Sequence, residues 1–403
     1  MMKRIYYHLL AILAWTLPNS YAFIDSLKVF FPNISLQIAG SLLAVVSIGI
    51  FITRIYYTRY EVFISLLVCI SILIFYSTRF FYSTNVELYQ SFFNSFLIRP
   101  VPGILVAMLL AKNNHIKGFI KWSEPMMLFY TLTSFLAALS PRNSIIIYQS
   151  LSYYAMTAYM INVFNIIYKE KILEEQLTYF RFSAWNFIRY FLLLIQAFNA
   201  LSGGGRGAFI LLIIFTGILL IRIAMNFKFL FSFIGGLSAI ALVVFCIKDL
   251  DFTWLLNMDG GERLLNFFGR PERISTDNRL LIYDTVWSAI QEKPFLGWGV
   301  GSTFLKFNGY SHNIVLDLLH DMGSFGLLII LSAFFASSVI FYKLRKIDWK
   351  VNLFILMFLE VYVHMSFSGS YLADGRLWFL VTFTYCYYRW KVQEKDEVSN
   401  FII

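Results

Sequence analysis

The sequence predicts an all-α protein that crosses a membrane about twelve times, with one large, partly helical loop outside the cytoplasm. Three observations predict this. Of 403 residues, 59% are hydrophobic and only 14% are charged, against about 25% charged in a soluble domain. Many apolar runs approach the ~20 residues that a helix needs to cross a bilayer core of about 30 Å. The positive residues fall in short connections between those runs, mostly on alternate sides, as the positive-inside rule expects.

Taken in order, the runs lie near 5–23, 34–53, 60–77, 92–111, 122–139, 145–168, 184–201, 207–221, 229–247, 324–341, 351–367 and 376–389. Lys3 and Arg4 place the N-terminus in the cytoplasm. The inner connections then carry Arg54 and Arg59; Lys112, Lys117 and Lys121; Lys169, Lys171 and Arg181; Arg222 and Lys228; and Lys343, Arg345, Lys346 and Lys350. The short outer connections hold only Lys28, Arg79, Arg142, Arg206 and Arg376. An even number of spans, with both termini inside, satisfies every short connection. Ser20-Tyr21-Ala22 also fits a signal-peptide cleavage site; a retained first span is the favoured reading.

The segment 248–323 has no run that can span. It holds 17 of the 56 Lys, Arg, Asp and Glu residues in about a fifth of the chain. Long loops of this kind carry function more often than they merely connect. The expected organisation is a bundle of about nine spans over 1–247, the outer loop 248–323, three further spans over 324–390, and a cytoplasmic tail 391–403. The net charge of +10 is dispersed among the connections and does not point to nucleic acid. Cys69, Cys246 and Cys386 all sit inside apolar runs, with neither disulfide nor metal-ligand spacing.

Four motifs can carry chemistry. In Ser202-Gly203-Gly204-Gly205-Arg206-Gly207, Gly204 and Gly205 allow backbone N–H groups to face an anion. The following helix adds its positive end, and Arg206 adds a bidentate donor for phosphate oxygens. The alternative is a plain interhelical turn with a snorkelling arginine. A loop helix over 276–291 is expected to bury Leu280, Tyr283, Trp287 and Ile290, with Arg279 and Asp284 off that stripe. Pro294-Phe295-Leu296-Gly297-Trp298-Gly299-Val300-Gly301 lacks the strand-turn-helix context of a nucleotide loop. After it, Ser311 is expected to cap a helix that His312 opens beside Asn313, where a neutral imidazole can take a proton from a hydroxyl. In the spans, Glu360 and His364 lie one turn apart and read as a structural pair. Arg99 sits beside Pro100, and Arg189 is expected to snorkel to the cytoplasmic face.

The order Gly205-Arg206-Gly207, Asn278-Arg279, Asp284–Trp287, Pro294–Gly301, His312-Asn313 and Leu319-His320-Asp321-Met322-Gly323-Ser324-Phe325-Gly326-Leu327 resembles the O-antigen ligase and polymerase superfamily, the Wzy and WaaL proteins. The resemblance is strongest over 200–330. It implies a GT-C-like membrane fold and a metal-independent, inverting glycosyltransferase of the bacterial inner membrane, without a cofactor. It implies a glycan donor and acceptor on undecaprenyl diphosphate, within the lipid bilayer, and a flippase and a chain-length regulator as partners. It also implies that Arg206, Arg279 and His312 are catalytic. With these, Gly204, Gly205, Arg206 and Arg279 are expected to hold the diphosphate, and Asn313, Asp284 and Glu360 are candidate supporting residues. His320-Asp321 departs from the glutamate that many members carry before Gly-x-x-Gly. The segment Tyr148–Tyr154 favours a polymerase over a ligase; a transporter or flippase is the contrasting class.

Overall fold

The computed structural model describes residues 2–31, 94, 96–112, 115–139, 148–181, 184–203, 205–225, 279–307 and 309–400. Every regular element among them is a helix. These are α1 (Met2–Thr16), α2 (Ser20–Leu27), α3 (Pro100–Lys112), α4 (Ile116–Ala138), α5 (Tyr148–Ile167), α6 (Lys169–Glu174) and α7 (Trp185–Ser202). They continue with α8 (Arg206–Ala224), α9 (Arg279–Glu292), α10 (Ser302–Phe307), α11 (Ile314–Ile347), α12 (Val351–Phe367) and α13 (Gly375–Asn400). The all-α class therefore holds. The expected spans 34–53, 60–77 and 229–247, and the start of the outer loop, lie outside the described residues.

The described residues do not test the expected count of about twelve spans in full. Among the described residues, Arg206–Ala224 alone is long and apolar enough to cross a membrane. The bent α11 adds a second if both its parts are read as one span. The expected first span is broken: α1 ends at Thr16 and α2 starts at Ser20, with Pro18 between them. A proline has no N–H to continue the helical ladder.

The chain divides into two compact units. The first comprises residues 1–21, 35–116 and 277–403; the second comprises 22–34 and 117–276. In the first, α3 packs along α13 where two glycines meet. A Cβ on Gly103 would lie 2.8 Å from the Gly375 carbonyl oxygen, and one on Gly375 would lie 2.8 Å from that of Arg99. The core continues as an aromatic stack in which Phe354 of α12 faces Phe383 of α13 at 3.9 Å between centroids. Tyr387, next in the stack, donates its hydroxyl to Asp348 (2.7 Å) just before α12.

In the second unit, α5 packs against α7 and α8. The contacts are unusually polar for a hydrophobic bundle. Asn162 donates to the Arg189 carbonyl and to Gln196; Gln196 donates to Thr131; Asn199 meets Ser134 Oγ at 2.9 Å. Arg189 corrects the expectation that it snorkels. It is 3% exposed and pairs with the buried Glu124 of α4. Glu124 also accepts from Trp185 Nε1 (2.6 Å), Thr178 Oγ1 (2.5 Å) and the Tyr179 N–H (3.1 Å). A charge fully removed from water persists when its partner and every lone pair are satisfied. Here the partner waits 65 residues away, out of reach of any local pattern.

Removing one member of a buried pair strands the other, at a cost of about 3–5 kcal/mol. Arg189→Met is therefore expected to lower the thermal midpoint of the detergent-solubilised protein. The double variant Glu124→Leu/Arg189→Met should recover much of the loss. An unchanged midpoint for Arg189→Met would mean that the arginine is solvated after all.

Candidate functional site

The best-defined construction in the first unit joins the Pro294–Gly301 motif to α11. Gly323 has φ +66° and ψ −168°, a break inside α11. In a continuous helix Ser324 and Phe325 would donate to the carbonyls of His320 and Asp321. Instead, Ser324 N–H donates to Pro294 O (2.8 Å) and Phe325 N–H to Phe295 O (3.2 Å). The two released carbonyls accept from Trp298 N–H and Gly299 N–H, both at 2.8 Å. The break thus exchanges two bonds within the helix for four bonds to the loop. Buried backbone groups are almost always paired, and this pairing needs the two backbones in contact. A Cβ on Gly297 (φ +66°) would lie 2.5 Å from the Asp321 carbonyl carbon, and one on Gly323 would overlap the Phe295 carbonyl group. Gly297 and Gly323 are therefore glycines for closeness as well as for left-handed backbone.

Asp321 locks the same junction. Its Oδ1 accepts from Ser302 Oγ (2.9 Å), Thr303 N–H (2.8 Å) and Thr303 Oγ1 (2.7 Å). Its Oδ2 accepts from Gly301 N–H (2.8 Å) and Tyr371 Oη (2.7 Å). Burial, and then the facing Asp321 carboxylate, push the Tyr371 hydroxyl well above its ordinary pKa, so it stays a donor. Both hydroxyl protons of Ser302 and Thr303 are spent on Asp321. His320 Nδ1, at 3.1 and 3.0 Å from those oxygens, must then be the donor to them, which fixes the tautomer from the network. Trp298 completes the junction by donating Nε1–H to the Ala289 carbonyl of α9 (2.8 Å).

The junction positions two of the expected site residues on one unit. α9 begins at Arg279 and is tied at Ala289, about 15 Å along its axis at 1.5 Å per residue. α11 begins just after His312 and is tied at His320 and Asp321. His312 itself has φ +62°, a backbone state that a non-glycine residue rarely adopts. It is bracketed on both sides. Ser311 N–H donates to the buried Asp317 Oδ1 (2.9 Å), and Ser311 Oγ donates to the Asn313 carbonyl (2.9 Å). The expected cap is corrected: Asn313, not Ser311, caps α11, accepting from Val315 N–H at 2.9 Å and Leu316 N–H at 3.4 Å. The Tyr310 ring lies 4.4 Å from the His312 ring.

Other expectations are refined. The described part of the expected loop helix, α9, buries Val286, Ala289 and Ile290, and residues 276–278 lie outside the described residues. Trp287, expected on the buried stripe, is 50% exposed, because α9 turns Ala289 toward Trp298. Asp284 is exposed, and its backbone carbonyl accepts from Ser288 Oγ. Glu360 and His364 meet through a third residue that was read only as a loop charge. Arg376 donates to Glu360 Oε1 (3.1 Å), His364 Nδ1 (2.6 Å) and both oxygens of Asp374 (3.2 and 2.9 Å). Burial would raise the Asp374 carboxyl, but Arg376 outweighs it and holds the pKa far below the ordinary range. Because Arg376 can only donate, His364 Nδ1 is the acceptor in that contact. Glu360 is thus engaged in a structural cluster.

Arg206 stands in the second unit, at the first position of α8. Its neighbour Gly205 is extended (φ −76°, ψ 114°) and donates its N–H to Ser152 Oγ of α5 (3.2 Å). A Cβ on Gly205 would lie 3.0 Å from that of Ser152, so the turn and α5 approach closely. Gly204 lies outside the described residues. Neither α8 nor α9 has an acidic residue in its first turn. Among the described residues, no group of three or more His, Cys, Asp or Glu is arranged to hold a metal.

Residues 190–331 match the Wzy_C family model, described as O-antigen ligase. The match runs from within α7 to within α11 and includes Arg206, Arg279, His312 and the Asp321 junction, in agreement with the resemblance seen in the sequence. It implies a function of the O-antigen ligase and polymerase type, a glycosyltransferase-like activity on lipid-linked glycans, and a membrane setting. No curated protein and no solved structure matches the chain.

A buried hydrogen bond to a charged group contributes about 1.5–3 kcal/mol. Tyr371→Phe should therefore destabilise the wild-type protein measurably and do much less in an Asp321→Ala background. Thermal unfolding of the four proteins of this cycle is the measurement. Additive effects of the two substitutions would reject Asp321 as the junction's common acceptor.

Proposed function

We propose that this protein is a metal-independent, inverting membrane glycosyltransferase that polymerises lipid-linked repeat units. It transfers a growing glycan from one undecaprenyl diphosphate to the next carrier-linked unit, in concert with a flippase and a chain-length regulator. The reaction takes place at the outer face of the bacterial inner membrane, with both termini in the cytoplasm. The observation that carries this reading is the location of its three key residues. Arg206 and Arg279 each begin a helix that has no acidic first-turn residue, and His312 directly precedes the cap of a third.

A helix N-terminus carries partial positive charge, so a cation there costs about 0.3–1 kcal/mol relative to an acid. Stability alone favours the opposite choice. An anionic ligand reverses the balance, because N–H groups and a guanidinium then converge on one phosphate group. In the reaction, an acceptor hydroxyl attacks the anomeric carbon from the side opposite the diphosphate. The bond to the diphosphate oxygen breaks, the hydroxyl proton passes to His312, and the electron pair leaves with undecaprenyl diphosphate. Arg206 and Arg279 stabilise the charge that develops on the leaving group. His312, held at φ +62°, acts as general base.

The polymerase reading draws on Tyr148–Tyr154, whose Ser152 bonds directly to the Gly205 turn. A second reading, a ligase that moves finished polymer onto lipid A-core, is favoured by the description of the matching family. The two share one chemistry and differ in acceptor.

Arg206→Ala, Arg279→Ala and His312→Ala are each expected to reduce transfer by at least about 100-fold, the scale for losing a transition-state donor or a general base, while membrane insertion stays normal. Reconstituted protein with lipid-linked substrate provides the assay, and near-normal product from Arg206→Ala would break the diphosphate assignment. A chelator is expected to leave the rate unchanged; inhibition that added metal restores would contradict a metal-free mechanism. Acceptor choice is read on a polysaccharide gel of a deletion strain. Single-unit products are expected. Uncapped core with persisting lipid-linked polymer would establish the ligase reading instead.

A further inference from the structure

The junction around Gly323 leaves one feature that the transfer chemistry does not use. Phe295 and Leu296 are adjacent, apolar, and 74% and 76% exposed. They are not on a loose loop. Phe295 O accepts from Phe325 N–H, Gly297 N–H donates to Lys293 O, and Pro294 O accepts from Ser324 N–H. These bonds fix the pair beside the point where α11 resumes after its break. There α11 shows its own outward apolar residues, Phe325 (61% exposed) and Leu328 (63%). The backbone bond between Phe295 and Phe325 makes the two exposed apolar pairs neighbours.

Charge borders this surface on the side of the loop. Lys293 Nζ lies 4.0 Å and Lys306 Nζ 4.1 Å from the centre of the Trp298 ring. Both lysines are exposed. Two cations over one indole, next to a rigid apolar pair, reproduce the chemistry of a membrane interface. Tryptophan sits at headgroup depth, lysine meets lipid phosphate, and aliphatic or phenyl groups enter the acyl region.

We infer that Phe295 and Leu296 form a ledge that rests in the leaflet from which α11 enters, with Lys293 and Lys306 holding the phosphates of anionic phospholipids above it. The ledge fixes the depth of the Gly323 junction relative to the headgroups. It would thereby hold His312 at the level where a lipid-borne diphosphate emerges. The inference rests on the membrane topology of the proposed function and not on its chemistry.

The test uses the full-length chain with Cys69, Cys246 and Cys386 replaced by Ser, reconstituted in phosphatidylcholine vesicles with or without phosphatidylglycerol. An environment-sensitive fluorophore is attached at Leu296→Cys, at Leu328→Cys as the span reference, and at Gln291→Cys as the exposed reference on α9. Phe295→Cys serves if Leu296→Cys does not reconstitute. Spin-labelled acyl chains are expected to quench position 296 nearly as strongly as 328 and at least threefold more than 291. Phosphatidylglycerol should shift the emission at 296 to the blue, and Lys293→Gln/Lys306→Gln should abolish that shift. Quenching at 296 by aqueous iodide instead of lipid overturns the ledge, as does protection from both quenchers, which would mean that protein covers it. Absence of a phosphatidylglycerol effect overturns the phosphate contact. Lipid quenching absent at 328 as well removes the topology itself, which separates that failure from a failure of the ledge.

Discussion

A helix cannot break at Gly323 without releasing backbone groups, and the way those groups are paired again governs how α9, α10 and α11 are set in the first unit. The four bonds between 294–299 and 320–325 require two backbones at contact distance. Contact distance requires glycine at both 297 and 323. Once the loop is seated, Gly301 N–H, Thr303 N–H and three side-chain hydroxyls all face one carboxylate, Asp321. That carboxylate in turn holds the start of α10 and, through Tyr371, the connection between α12 and α13. Trp298 carries the constraint to α9. The helices that begin at Arg279 and just beyond His312 are thus set by one junction.

The extent of this that can be read from sequence depends on the range of the interaction. α5, α7, α8 and α12 fall within a few residues of the apolar runs that predict them, because a run of membrane-scale length is a local property. The Pro294–Gly301 motif is recognisable as glycine-rich, but the reason for Gly297 is not legible locally, since the atoms that exclude its Cβ belong to Asp321 and Gly323, more than twenty residues away. The same holds for Arg189, which reads as a surface cation until Glu124 supplies its partner across the bundle. Local misreadings have smaller causes. Ser311 and Asn313 are both good caps, and only the chain's turn at His312 decides that Asn313 reaches Val315 N–H while Ser311 closes the corner. The stripe on α9 failed at Trp287 because an indole is tolerated in the open, whereas Ala289 must be buried to receive Trp298.

Most of the buried acids serve as fasteners within their unit. Glu124, Asp321, Asp348, Glu360 and Asp374 are all buried or nearly so and committed to donors within the protein. Desolvated carboxylates are tolerable only when satisfied in this way, and each one here fastens elements together. Arg376 and Arg189 serve as the matching structural cations. Arg206 and Arg279 stand at the first positions of α8 and α9.

His312 adds a constraint of a different kind. A non-glycine residue in the left-handed region costs on the order of 1 kcal/mol or more, and glycine or asparagine would adopt φ +62° more cheaply. The neighbouring bonds show how the cost is met. Asp317 holds Ser311 from below, Asn313 caps the helix above, and the hydroxyl of Ser311 closes the loop between them. The imidazole itself lies against the Tyr310 ring, 4.4 Å between centroids. Glycine would hold the backbone of the corner at lower cost. Because α11 is anchored nine residues further on by Asp321, a ring held at this corner keeps its orientation relative to α9 without any loop having to close.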